Sequence, residues 1–256
     1  MRYKILICIT LLFAGTGCTR LFDSADEKNG DWNTYRSEHY IFYVRDNSEA
    51  ERAIEKIQQE QERAYREINE RLDISFTRML KVYIYDSRQD MGETDRTGIA
   101  HPEIGTIEVI YNSEIQSIGV PGVSLHELSH LVVFYEWCPV SEPVFAEGLA
   151  VWLDDYWGDP AISTTNLFSI SKKRMEAGTL PAVEAMVTGW SGIESRYSYP
   201  AAGSFTKYLV QEYGLNAFRQ LYCEAQRQDF DSVFFEIYGK QFWEVETEYE
   251  TFLQNY

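Results

Sequence analysis

The stretch VSLHELSHLVVFY, residues 123–135, is the most informative part of this chain. It contains His126, Glu127 and His130 in the order H-E-x-x-H. On a helix the two histidines lie one turn apart on the same face, so both imidazoles can point at one metal ion with Glu127 beside them. Most other positions are apolar, which predicts a helix buried on all sides with a polar cluster inside a core. This is the pattern of the metal helix of a zinc hydrolase.

Prolines and capping residues predict the bounds of this helix and of the next one. The first helix should begin within residues 121–124 and end before Pro139, because proline cannot continue a helix. A second helix should follow directly, with Ser141 as its N-cap and Pro143 in its first turn, where the missing N–H costs nothing. The two helices are therefore expected to be antiparallel and joined by a short turn.

The second helix carries a further candidate ligand, Glu147. It stands in the segment FAEGLAVWL, residues 145–153, which is otherwise apolar. A buried carboxylate needs a cation or strong hydrogen-bond donors, and an antiparallel helix pair would return Glu147 to His126 and His130. Gly148 lacks a side chain, so we expect it to let these two helices approach closely.

Composition and charge exclude several classes of protein. The 256 residues are 45% hydrophobic and 15% aromatic, enough to bury a full core in one large domain or two closely packed lobes. The formal net charge is -17. Binding a polyphosphate requires clustered Lys and Arg, so a nucleic-acid partner is excluded.

Residues 1–17 are typical of a signal peptide, with a basic start and an apolar core too short to span a bilayer permanently. The small residues before Cys18 resemble a bacterial lipobox, in which Cys18 becomes the lipidated first residue, although Gly15 stands where Leu is usual. Residues 18–31 are polar enough to form a tether. We therefore expect an extracytoplasmic lipoprotein, anchored to a membrane in the periplasm or on the cell surface of a bacterium. Ordinary secretion is the alternative.

Cys138 and Cys223 are the two cysteines that remain for the folded domain. In an oxidising compartment they either form a disulfide or stay as two buried thiols, and both alternatives are open because sequence does not give their separation in space. Neither lies near another cysteine at the spacing of metal ligands.

The N-terminal part is predicted to be a small α/β lobe. Strands are expected at residues 39–44 and 79–85, on either side of a helix over residues 48–72 whose apolar residues recur at three- and four-residue spacing. Residues 86–103 are polar and turn-rich and are predicted to form a loop. A third strand, residues 107–111, is either an edge strand to which a peptide substrate adds or a plain core strand.

The rest of the chain is predicted to be helical, which makes the fold class α+β. A lobe with a mainly antiparallel or mixed sheet, residues 32–119, precedes a helical lobe, residues 120–256, with the H-E-x-x-H helix and the cleft between them. The further helices are expected within residues 164–180, 181–188, 201–213, 215–226, 230–238 and 242–253.

The two motifs together resemble those of gluzincins, the thermolysin-like branch of zinc metallopeptidases, and especially their small bacterial peptidase-MA-like members. H-E-x-x-H is followed, after sixteen residues, by Glu147 within EPVFAEGLA, residues 142–150. The segment YPAAGSFTKYL, residues 199–209, is similar to the family's segment after the site. The resemblance covers most of residues 35–256 and implies a zinc-dependent peptidase that acts on peptide or protein substrates.

The resemblance and the chemistry of the residue types imply a role for each site residue. His126, His130 and Glu147 would hold Zn2+ and leave one open position, where a bound water would have its pKa lowered towards neutrality. Glu127 would act as the general base and pass the proton to the leaving amine.

Thermolysin-like enzymes place a Tyr or His where the oxyanion develops, and Tyr199 matches the family's tyrosine, with Tyr197 as the alternative. These enzymes often orient the first histidine with an Asp one turn after the ligand glutamate, but here Val151 stands at that position. Support for the ligand must then come from elsewhere, and Asp154 and Asp155 are the candidates.

Three functions are compatible with these residues. The first is peptide hydrolysis, the second is zinc-dependent hydrolysis of a non-peptide or cell-wall amide, and the third is binding by a zinc-folded lipoprotein without turnover. Glu127 argues against the third, because a structural zinc site needs no base. Neither a specificity pocket nor an oligomeric state can be inferred from the sequence.

Overall fold

A five-stranded mixed sheet forms the N-terminal part of the protein. The computed structural model describes residues 32–94, 96–113, 125–139, 141–155, 157, 162, 164–226 and 230–256. The predicted signal peptide, Cys18 and the tether lie outside these residues. The strands are β1 (Trp32–Arg36), β2 (Tyr40–Arg45), β3 (Leu80–Tyr85), β4 (Gly98–His101) and β5 (Thr106–Ile110).

The strands lie in the order β1-β2-β3-β5-β4. β2, β3 and β5 are parallel neighbours, whereas β1 and β4 pair antiparallel with β2 and β5 at the two edges. Parallel neighbours need a crossover, and between β2 and β3 it is made by α1 (Glu49–Arg52) and α2 (Ile54–Leu72). The predicted helix over residues 48–72 is thus two helices, with Ser48 capping the first.

The segment of residues 86–103, predicted to be a loop, contains secondary structure. It includes a short helix, α3 (Arg88–Met91), then β4 and the start of a 3-10 turn at Pro102–Ile104. β4 has no alternating pattern, and it is a strand because the edge of β5 supplies hydrogen-bond partners. Of the two alternatives for residues 107–111, the core strand is the correct one, because β5 lies between β3 and β4.

The C-terminal part is helical, so the α+β class is confirmed. No helix among the described residues is long and apolar enough to cross a bilayer. The H-E-x-x-H helix is described from Leu125, and its predicted start within residues 121–124 lies outside the described residues. The helices are α4 (Leu125–Glu136), α5 (Pro143–Asp154), α6 (Leu167–Glu176), α7 (Val183–Gly189), α8 (Ser195–Tyr213), α9 (Leu215–Glu224), α10 (Phe230–Tyr238) and α11 (Phe242–Asn255).

One hydrophobic core joins the sheet to the helices. It includes Phe42 and Val82 from the sheet, Leu131 from α4 and Leu253 from α11, all fully buried. The two predicted lobes therefore share their main core, and α4 lies where they meet. This position explains why the helix is apolar on nearly every side.

A disulfide joins Cys138, just after α4, to Cys223 on α9. The sequence had left this pairing open. The bond links residues separated by 85 positions in the chain. It ties the end of the H-E-x-x-H helix to the helical layer behind it.

Two helix boundaries differ from the predictions. Glu142, not Ser141, is the N-cap of α5, because the carbonyl of Glu142 accepts the first helical hydrogen bonds, from Phe145 and Ala146. α8 begins at Ser195 and carries Pro200 inside it, whereas a helix start after the proline was predicted. As a result, Tyr199 lies on a helix.

Gly148 allows a close helix approach, but not the predicted one. A Cβ atom added at Gly148 would lie 2.8 Å from the Ala202 carbonyl oxygen and 2.5 Å from Thr206 Oγ1, both on α8. Gly203 of α8 in turn lies against Val151 of α5. The two glycines therefore serve the contact between α5 and α8, and not the contact between α4 and α5.

We expect Gly148→Ala to lower the free energy of unfolding by about 1–3 kcal/mol, the usual cost of an extra methyl group in a packed interior. Chemical denaturation would measure the change. Gly192→Ala is the matched control, since a Cβ atom there would have no neighbour within 4 Å. Equal stability of the two variants would contradict the close contact between α5 and α8.

Candidate metal centre

α4 presents two imidazoles to one point. His126 and His130 are one turn apart, and their ring centroids are 5.0 Å from each other. The opposite side of the helix is fixed by Leu128, Leu131 and Val132, which are fully buried in the core. The helix therefore has little freedom to rotate, and the two imidazoles are held on the side away from these core residues.

α5 returns Glu147 to the same point. Its Oε2 atom lies 3.1 Å from His126 Nε2 and 3.5 Å from His130 Nε2. In a tetrahedral zinc site with bonds near 2.05 Å, neighbouring ligand atoms are about 3.3 Å apart. Both distances from Glu147 are therefore compatible with one bound zinc ion, and the ligand atoms of all three predicted residues lie within 4.8 Å of one another.

The three candidate ligand side chains are partly buried and partly exposed. Their exposed fractions are 18% for His126, 20% for His130 and 23% for Glu147. Burial acts to raise the pKa of Glu147, but hydrogen bonds and charge from the two histidines hold this pKa well below its usual range. Burial acts to lower the pKa of His126, but the neighbouring carboxylates, Glu147 above all, raise it to about 9.

Glu127 lies between the metal helix and the edge strand. A Cβ atom added at Gly98 of β4 would lie 2.7 Å from Glu127 Oε1, so the carboxylate rests directly on the strand backbone. Its charge raises the pKa of both His126 and Tyr199, as expected of a group beside both. Gly98 was missed in the sequence, because it falls in a segment predicted to be a loop.

Tyr199 lies over the first histidine. Its ring is nearly parallel to that of His126, at 14° and with 6.2 Å between centroids. Burial, followed by the charge of Glu147, raises the pKa of Tyr199 well above its ordinary value. Trp157 and Trp190 enclose the tyrosine, with ring centroids 5.6 Å and 5.4 Å from its own.

Tyr197, the alternative to Tyr199, has other partners. The guanidinium carbons of Arg174 and Arg196 lie 4.5 Å and 4.8 Å from its ring centroid. Its ring is therefore occupied by two arginines, whereas the ring of Tyr199 stacks on His126. Of the two tyrosines, Tyr199 is the one that the fold brings to the candidate ligands.

Asp154 connects the end of α5 to the start of α4. Its Oδ1 atom accepts a hydrogen bond from the backbone N–H of His126 at 3.1 Å. Burial raises the pKa of Asp154 to about 6. Asp155, the other predicted support, instead pairs with Lys207 at 2.8 Å. Asp154 thus binds the backbone of His126, a candidate ligand. The Asp that is expected from thermolysin-like proteins would instead orient the imidazole ring.

A second group of candidate ligands, Glu38, His39 and Glu62, also occurs among the described residues. Both carboxylate oxygens of Glu62 are already used, one by Ser37 Oγ and the His39 backbone N–H and the other by His39 Nδ1. These bonds attach the turn before β2 to α2. The group is accounted for by this structural role.

No protein-family model matches the sequence, and no curated protein is similar to it at a significant level. The family resemblance therefore rests on the motifs alone. Evidence on function comes from the geometry of the residues described above.

In the metal-free protein we expect stability to fall as pH rises from about 6.5 to about 9. The pKa of His126 is raised in the folded state, so the protonated imidazole stabilises the fold below its unfolded pKa of about 6.5. This contribution is lost as pH rises through the folded value of about 9. Thermal denaturation of chelator-treated protein at pH 6.5 and 9.5 would measure it.

The control is Glu147→Gln, which removes the carboxylate that raises the pKa of His126. Its melting temperature should depend less on pH in this window. A wild-type melting temperature that does not change between the two pH values would show that the ion pair does not form.

Proposed function

We propose that this protein is a zinc-dependent peptidase of the gluzincin type that acts outside the cytoplasm. The observation that carries the proposal is the convergence of His126, His130 and Glu147 at the spacing of zinc ligands. Glu127 and Tyr199 lie beside them and supply the two other groups that peptide hydrolysis needs.

The donor set favours a metal that binds nitrogen, such as zinc, over Ca2+ and Mg2+. Two imidazole nitrogens and one carboxylate oxygen are typical of zinc, whereas Ca2+ and Mg2+ prefer oxygen ligands. Three protein ligands are typical of a catalytic site, because a structural zinc site usually has four. The partial exposure of the ligands is compatible with an open position that water and substrate can reach.

Zn2+ bound there would supply a Lewis acid that polarises the scissile carbonyl and lowers the pKa of water. Glu127 would accept the proton of the attacking water and donate it to the leaving amine, since its carboxylate lies between α4 and β4. Tyr199 has a raised pKa and stays protonated at neutral pH. Its hydroxyl is therefore able to donate a hydrogen bond to the oxyanion that develops on the carbonyl.

The position of β4 at the edge of the sheet favours a peptide as the substrate. β4 is the last strand on its side, paired with β5 alone within the described sheet, and Gly98 of β4 contacts the general base. An extended peptide that pairs with β4 would pass along Glu127, with main-chain hydrogen bonds that do not depend on its sequence. The sequence-based idea of a substrate-binding edge strand thus applies to β4 and not to β5.

The proposed location is extracytoplasmic, with a membrane anchor at Cys18. The disulfide between Cys138 and Cys223 supports an oxidising compartment, because disulfides in cytosolic proteins are rare. The signal-like residues 1–17 support export on independent grounds.

Glu127→Gln is expected to reduce kcat by about 100- to 10,000-fold, the usual contribution of a general base, with zinc content unchanged. The test purifies residues 19–256, measures zinc per chain, and follows cleavage of a mixed peptide library. Glu147→Ala is the paired variant, and it should lose zinc as well as activity because it removes a ligand.

A folded protein without zinc, or zinc content unaffected by Glu147→Ala, would refute the ligand assignment. Stoichiometric zinc without cleavage of any peptide would favour a hydrolase of a non-peptide or cell-wall amide. If such amides are also not cleaved, the protein would be a zinc-folded binding lipoprotein.

Tyr199→Phe should lower kcat by about 100-fold, because it removes one donor to the oxyanion. KM and zinc content should change little, since the ring and its stacking on His126 remain. Tyr197→Phe is the matched control and should keep full activity. Equal activity of the two variants would remove Tyr199 from the mechanism.

A further inference from the structure

Arg96 is an exposed cation next to the candidate centre that the chemistry above does not use. It stands two residues before Gly98, whose backbone lies against Glu127. The carbonyl of the intervening Thr97 accepts a hydrogen bond from the Ile110 backbone N–H at 3.0 Å, which continues the pairing of β4 with β5. Arg96 is therefore at the beginning of the edge strand that borders the general base.

Side chains two residues apart on an extended strand project from the same face, and a Cβ atom at Gly98 would lie against Glu127, so the side chain of Arg96 projects towards the general base. Its positive charge lowers the pKa of Tyr199, against the raising effects of burial and of Glu147. This effect agrees with a guanidinium near the candidate centre. Within the part of the chain that the structure describes, no carboxylate forms an ion pair with Arg96.

The surrounding charge makes this arginine unusual. The chain has a net charge of -17, and the site itself contains Glu127 and Glu147. Such a field repels anionic substrates unless a local cation offsets it. A guanidinium binds a carboxylate through two parallel hydrogen bonds, which adds geometric selectivity to the charge.

We propose that Arg96 is a specificity-determining residue that binds a carboxylate of the substrate. The carboxylate comes either from an acidic side chain close to the scissile bond or from a free C-terminus. This inference rests on the proposed peptidase function and adds a substrate class to it, namely peptides that carry a negative charge within reach of the start of β4.

The first experiment compares three forms of one quenched fluorescent peptide with the zinc-loaded protein. One form carries Glu near the scissile bond and an amidated C-terminus, the second carries Gln there and the same amide, and the third carries Gln and a free C-terminal carboxylate. Glu is moved through each position flanking the bond. The second and third forms distinguish the two sources of the carboxylate.

We expect at least one charged form to have a kcat/KM about fivefold above that of the neutral form, the scale of an exposed charge pair. Arg96→Gln should abolish this preference, so that the charged and neutral peptides have equal kcat/KM values. High salt should reduce the preference in the wild type, because the charges are exposed. Arg66→Gln, which removes the same charge from an exposed position on α2, should keep it.

The second experiment needs no turnover. Calorimetric titration of zinc-loaded Glu127→Gln protein with the same peptides should give a Kd about fivefold lower for the preferred charged form than for the neutral one. Adding Arg96→Gln should make the two Kd values equal.

If charged and neutral peptides have equal kcat/KM values with the wild type and equal Kd values with the Glu127→Gln protein, the inference is overturned. A preference that survives Arg96→Gln would also overturn it. If the charged peptide binds through Arg96 but no peptide is cleaved, the proposed function fails while the carboxylate site stands. If peptides are cleaved without regard to charge, the proposed function stands and the carboxylate site fails.

Discussion

The contact between the Glu147 carboxylate and the two imidazoles of the neighbouring helix is the interaction on which the rest of the site depends. A carboxylate in an apolar helix is unfavourable unless cations or donors surround it. His126 and His130 supply those partners, and in turn the carboxylate shifts the pKa of His126 upward. The arrangement is stable only with a positive charge at its centre, which either protons or a metal ion provide.

The helices around this contact position it rigidly. α5 carries Glu147. It packs on α8 through Gly148 of α5 and Gly203 of α8, each of which has no side chain and lies against the other helix. α8 carries Tyr199, so the same close contact sets the distance between the candidate ligand Glu147 and the tyrosine. At the far end of α5, Asp154 holds the backbone of His126. Residues on packed helices keep a more constant geometry than residues on loops.

The sheet forms another side of the site. β4 brings the backbone of Gly98 against Glu127, and Arg96 stands two residues before Gly98 in the chain. A base, a bound metal and a guanidinium would then lie along one extended edge, where a peptide backbone has hydrogen-bond partners available. The chemistry and the selection of substrate would both depend on this one short strand.

The sequence by itself determined most of the helices, the α+β class and the candidate ligands, because helical periodicity and buried charge are local signals. Tertiary structure alone decided that residues 98–101 form an edge strand, that Tyr199 lies on a helix over His126, and that Cys138 pairs with Cys223. A strand without alternation exists only because a neighbour supplies its hydrogen bonds, and a contact between distant segments exists only because a common core brings them together. Neither cause leaves a pattern in the segment itself.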